Sequence, residues 1–131
     1  MRGMPGCGKS TLAKAIAGAT GGTICSADDH YVVDGKYVYD FSLIGIVHMR
    51  CMRDFDRAIA AGTPVVIVDN TNLRRKDFAY YRRQAKRNGY EVQEILVGRP
   101  TYEPHQEICA ARNTHGISLD IIKSMSTNFR L

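Results

Sequence analysis

The sequence predicts an α/β fold of three layers, a parallel sheet between helices, with a helical lid. Three observations carry that expectation. Short apolar runs alternate with amphipathic helical stretches along the 131 residues. The run Val65-Val66-Ile67-Val68-Asp69 is apolar and β-branched until it closes on an acid, as in a strand covered on both faces. The stretch Gly3-Met4-Pro5-Gly6-Cys7-Gly8-Lys9-Ser10-Thr11 fits G-x-x-x-x-G-K-[ST] and opens directly into an apolar helix.

Taken in order, the first helix runs from Thr11 to Ala17 and is ended by Gly18 and the Gly21-Gly22 pair. Thr23–Ser26 is a short buried strand. Tyr31 to Asp40 holds Asp34-Gly35 and no helical period, so it reads as a loop or small hairpin. A helix follows from Ser42 to Ala61, with Asp40 or Ser42 as its cap, Gly62 as its stop, and a stripe of Ile44, Val47, Cys51, Phe55, Ala58 and Ile59. After the strand Val65–Asp69 comes a helix from Arg74 to Asn88, buried through Phe78, Tyr81 and Ala85. Tyr90–Gly98 reads as another strand. Gln106–Arg112 is a short helix, and a last helix starts at Ser118. The whole is one domain, 1–131, with the lid over about 100–118.

A loop of this kind normally follows a buried strand, and only Met1 and Arg2 stand before it. The expectation is a truncated first strand, with some six apolar residues upstream in the natural protein. Its neighbours, Val65–Asp69 and Tyr90–Gly98, would each show an unpaired edge.

Composition sets outer limits. No run of about 18 apolar residues exists, so no membrane-spanning helix is expected. Four cysteines, Cys7, Cys25, Cys51 and Cys109, lack CxxC spacing, which points to a reduced, cytoplasmic setting. A net charge of +5 is compatible with a polyanionic partner.

The glycine-rich loop carries the chemistry. Gly3, Pro5, Gly6, Cys7, Gly8, Lys9, Ser10 and Thr11 form a cradle in which backbone N–H groups surround phosphate oxygens, so ATP is the expected ligand. Lys9 reaches the β- and γ-phosphates, and the Ser10 hydroxyl is placed to ligate Mg²⁺. Asp69 is a second Mg²⁺ anchor or, more plainly, a turn cap. Asp28 and Asp29, just past a strand, are both candidates for the base that takes a proton from an attacking hydroxyl. Arg112 is able to quench charge on the moving phosphoryl; the plainer alternative is a solvated arginine at a helix end. The helix Arg74–Arg87 holds seven of the chain's eighteen lysines and arginines, with aromatics between them. It is a candidate nucleic-acid surface or a solvated outer face.

The loop, Ser26-Ala27-Asp28-Asp29, Val66-Ile67-Val68-Asp69-Asn70-Thr71-Asn72-Leu73 and Arg112-Asn113 come in the order of the polynucleotide kinase-like P-loop kinases. The chain resembles the kinase half of phage 5′-hydroxyl polynucleotide kinases and their small ATP-binding relatives. That resemblance implies a small-kinase parallel sheet and lid, with ATP and Mg²⁺ as cofactors. It implies Asp28 as general base for a 5′-hydroxyl of RNA or DNA, with Lys9 and Arg112 on the ATP phosphates. Gly116 stands where the phage enzymes place a second lid arginine, as in the small relatives. Two other readings stay open: a kinase of a small metabolite or nucleotide sugar, and an ATP-binding interaction module with little turnover.

Overall fold

The computed structural model describes residues 1–131. Helix α1, Lys9–Thr20, leaves the glycine-rich loop and returns the chain to strand β1, Thr23–Cys25. A 3-10 turn at Ala27–Tyr31 leads into a small antiparallel hairpin, β2 (Val32–Val33) and β3 (Lys36–Tyr37). Helix α2, Ile44–Ala60, crosses back to strand β4, Val66–Val68. Helices α3 (Arg75–Arg87), α4 (Glu103–Arg112) and α5 (Leu119–Asn128) complete the chain.

Strands β1 and β4 pair in parallel, Thr23 opposite Val66, Ile24 opposite Ile67 and Cys25 opposite Val68. Residues Met1–Gly3 lie on the far side of β4. The Met1 ammonium donates to the Val68 carbonyl at 2.7 Å, and the Asn72 side-chain amide donates to the Met1 carbonyl at 2.8 Å. On the other flank the Arg2 N–H donates to Ile95 and the Val97 N–H donates to Arg2, a parallel bridge centred on Leu96. The chain just before the loop therefore sits inside the sheet, where such a strand belongs.

The strand expected over Tyr90–Gly98 is reduced to that one bridge. Residues before Ile95 have no strand partner, because a cleft of about 400 Å³ separates them from β4. Ile16, Ile59, Val66, Phe78 and Val92 help to line it. An apolar trough thus lies between β4 and residues 90–94. Helix bounds also differ. Helix α1 begins at Lys9 and runs through Gly18 to Thr20, where the left-handed Gly21 ends it. Helix α2 begins later than expected because Phe41–Leu43 forms a 3-10 turn, capped by Asp40 Oδ1 accepting from the Ser42 N–H at 2.9 Å. Helix α4 begins earlier, at Glu103, since Pro104 fits a first turn that needs no N–H there.

The core has two parts. In the larger, Cys25, Val47, Cys51, Phe55, Phe78 and Tyr81 join β1, α2 and α3, and Phe55 meets Tyr81 edge-on at 5.1 Å. In the smaller, Met4 and Cys7 of the loop pack on Cys109 of α4 and Ile122 of α5. The lid is thus seated on the loop by apolar burial.

Arg2 is only 5% exposed. Its guanidinium donates to the carbonyls of Asn72, Leu73 and Arg130, pairs with Glu94 at 3.7 Å, and lies over the rings of Phe78 and Phe129 at 4.9 and 4.8 Å. A buried charge so fully partnered avoids most of the desolvation penalty it would otherwise carry. No helix is long and apolar enough to cross a membrane.

Candidate nucleotide-binding site

The loop from Gly3 to Gly8 ends at the N-terminus of α1, whose first turn contains no acid and whose cap makes no side-chain bond. The free N–H groups and dipole of that end therefore face outward without an anionic partner from the chain. A Cβ on Gly8 would meet no atom within 4 Å, so the backbone at the loop's end is freely accessible. Lys9 is 8% exposed and lies along the loop, its Nζ donating to the Met4 carbonyl at 2.9 Å and standing 3.8 Å from Cys7 Sγ. Thr11 and Pro5 keep the positions that the motif gives them.

Gly6 explains how the lid meets the cradle. Its φ is +77°, and a Cβ there would overlap the Cys109 carbonyl and stand 2.8 Å from the Asn113 N–H nitrogen. Only a bare Cα lets the end of α4 rest on the loop. That contact carries Arg112, one turn beyond Cys109, to the same side of the molecule. Its side chain is exposed and forms no ion pair or hydrogen bond within the chain.

Ser10 and Asp69 meet directly. The Ser10 hydroxyl donates to Asp69 Oδ2 at 2.7 Å, while the Asp69 N–H extends the β1–β4 ladder by bonding to the Cys25 carbonyl. Asp69 is 6% exposed, and its Oδ1 is buried without a partner. A buried carboxylate oxygen left so is costly unless a cation or water approaches it. The hydroxyl and carboxylate are hard oxygen donors, and the chain offers no cluster of three acidic, histidine or cysteine ligands. That donor set fits Mg²⁺, which takes one or two protein ligands and completes its shell with water and phosphate oxygens.

The two adjacent acids have different surroundings. Asp28 lies under the lid: Tyr37 Oη donates to its Oδ1 at 3.4 Å and His115 Nδ1 is 3.6 Å from its Oδ2. Burial raises the Asp29 carboxyl above the ordinary range, with His30 opposing and the charges of Asp28 and Asp69 adding. Asp28 makes no direct bond to Ser10 or Asp69. The end of β1 is fixed instead by Asn70, whose Oδ1 accepts the Ala27 N–H at 2.9 Å and whose amide points to Cys51 Sγ. His30 to Asp54, at 2.6 Å, ties the same turn to α2.

Several of these residues were not foreseen. Asn70 and Asn72 lock the two strand ends flanking the loop, and Asn113 organises the lid. The Asn113 amide donates to the carbonyls of Ala110 and Ile117 at 2.8 Å, and its Oδ1 accepts the N–H groups of His115 and Ile117. The recurrence of asparagine at element junctions was the available signal. Asn113→Ala is expected to cost about 2 kcal/mol through these unsatisfied groups. Limited trypsin digestion checks it: cleavage after Arg112 should become faster than in the unaltered chain.

The basic helix is only partly free. Arg82 pairs with Glu94 at 3.0 Å, and Arg74 with Asp77 at 3.7 Å. Arg75, Arg83, Lys86 and Arg87 remain on an exposed face. Gly116 has φ +70°, a left-handed turn inside the loop that Asn113 clamps. An arginine there would be strained, so the missing second lid arginine is matched by a different local backbone.

With its lysine, helix end and hydroxyl–carboxylate pair gathered at one open loop beside a parallel sheet, the molecule is a P-loop nucleotide-binding domain. The chain belongs to the AAA domain family AAA_33, whose model matches residues 1–130. It is similar to human NEDD4-binding protein 2, at 30% identity over 139 residues that cover 99% of this chain and 7% of that protein. It is also similar to mouse YLP motif-containing protein 1, at 25% identity over 156 residues covering all of this chain and 11% of that protein. The chain thus corresponds to a small part of each relative's length.

Proposed function

We propose that the domain is an ATP-dependent kinase that moves the γ-phosphate to a hydroxyl acceptor, and that the acceptor is a nucleic-acid 5′-hydroxyl. The observation that supports this most is the placement of Asp28. It is a carboxylate at the end of β1, under the lid segment that also carries Arg112. In this reading the acceptor oxygen attacks the γ-phosphorus while Asp28 takes its proton, and the bond from phosphorus to the bridging oxygen breaks toward ADP. Lys9 and Arg112 stabilise the negative charge that collects on the transferring group and the leaving oxygen. Ser10 and Asp69 would hold Mg²⁺, which supplies charge neutralisation between the β- and γ-phosphates. Arg75, Arg83, Lys86 and Arg87 offer phosphate contacts for the rest of a polynucleotide.

A small-metabolite acceptor is the second reading, favoured by Gly116 in place of a second lid arginine. The test is transfer of labelled γ-phosphate from ATP to 5′-hydroxyl oligonucleotides. Asp28→Asn should lower transfer roughly 10²- to 10⁴-fold with ATP affinity retained, as expected for loss of a general base. Transfer undiminished in that variant would remove Asp28 from the role. ATP binding without transfer to any acceptor would identify an interaction module instead.

A further inference from the structure

The surroundings of Asp28 hold an arrangement that proton abstraction does not need. The rings of Tyr37 and His115 lie face to face, 4.2 Å between centroids and 12° between planes. Each also reaches one oxygen of Asp28, Tyr37 to Oδ1 and His115 to Oδ2. The carboxylate keeps half of its surface exposed, with the stacked pair flanking it on one side.

The two are not equally fixed. Tyr37 belongs to the hairpin, paired with Val32 and packed edge-on against Tyr31 at 5.9 Å; Tyr31 itself is buried. His115 sits in the four-residue connection between α4 and the Ile117 turn, on the lid. The ring that can depart is His115. Its departure would bare a flat tyrosine face beside the base. Nearby in the chain, Tyr39 packs on Tyr31 at 5.2 Å and Phe41 is 72% exposed.

We infer that Tyr37 is the stacking platform for the terminal nucleobase of the acceptor, and that His115 is the protein's own ring occupying that place until the acceptor displaces it. This rests on the nucleic-acid reading above and adds to it a requirement: the acceptor presents an unpaired, planar base next to its reacting hydroxyl. Base-on-aromatic stacking is tolerant of sequence, so the platform selects single-stranded ends without reading which base they carry.

The test compares two oligonucleotides in the labelled-ATP assay on the full chain, one with a normal 5′-terminal nucleotide and one abasic at that position. The acceptor KM should be about tenfold lower for the base-bearing oligonucleotide, the order expected for one stacked base. Tyr37→Leu should remove that difference, and Tyr37→Phe should keep it. His115→Ala removes the competing ring, so it should lower the acceptor KM while Tyr37→Leu raises it, with the KM for ATP steady in both. A simple lid latch would instead move both variants in the same direction and affect the abasic acceptor equally. Equal KM values for the two oligonucleotides in the unaltered protein would overturn the platform and leave the proposed kinase standing, even if Tyr37→Leu did not fold. Absence of transfer to either would overturn both.

Discussion

Gly6→Ala is expected to weaken nucleotide binding by at least roughly 100-fold, about 2.7 kcal/mol, and to loosen the lid with it. Two costs combine. A side chain at φ +77° carries about 1–2 kcal/mol of left-handed strain. The new Cβ would also collide with backbone on α4, the Cys109 carbonyl and the Asn113 nitrogen, neither of which is a flexible tip that can swing aside. Either the loop opens or the end of α4 lifts, and lifting it separates Met4 and Cys7 from Cys109 and Ile122. Titration with a fluorescent ATP analogue measures the first effect, and tryptic cleavage after Arg112 measures the second. Gly8→Ala is the informative companion, since a Cβ there meets no atom within 4 Å and only the strain of its φ of +99° opposes the change. It should impair binding while leaving the lid as resistant to trypsin as before. Unchanged affinity in Gly6→Ala would mean that α4 does not rest on the loop.

Arg2→Met is expected to destabilise the fold by about 3–5 kcal/mol, because removing one member of a buried charged network leaves its partners stranded. Three backbone carbonyls lose a donor at once, and Glu94 loses one of its two cations. For a domain of this size that is a fall in Tm of about 10–20 °C, read by thermal or urea denaturation. Arg2→Lys should recover little. A single ammonium cannot donate to three carbonyls in different directions and lie flat between the rings of Phe78 and Phe129. Wild-type stability in Arg2→Met would show that the buried contacts around it contribute nothing net.

The two cases also mark where sequence is informative. Periodic patterns were enough for β1, β4 and the five helices, since each buries one face defined by its own residues. The cradle and the Ser10–Asp69 pair were legible because a motif fixes one partner and a strand end supplies the other. Arg2 was not. Its environment is assembled from residues 72, 73, 78, 94, 129 and 130, none of which is marked locally as a partner. The same holds for Asp28, whose neighbours Tyr37 and His115 come from a hairpin and a lid loop with no shared pattern. Tyr90–Gly98 shows the reverse failure. Its composition is that of a strand, but a strand needs a backbone to pair with, and only Arg2 reaches it.

Arg2 also bears on the order in which the fold closes. Its guanidinium binds the carbonyl of Arg130, 128 positions along the chain, so the segment leading into the phosphate cradle takes one of its anchors from the far side of α5. Contacts this distant in sequence close late, after the entropy of the intervening chain has been lost. Until that contact closes, the segment is held by its nearer partners, the carbonyls of Thr71, Asn72 and Leu73. Nucleotide held by the loop would favour that last closure, because it stabilises the state in which the cradle is formed.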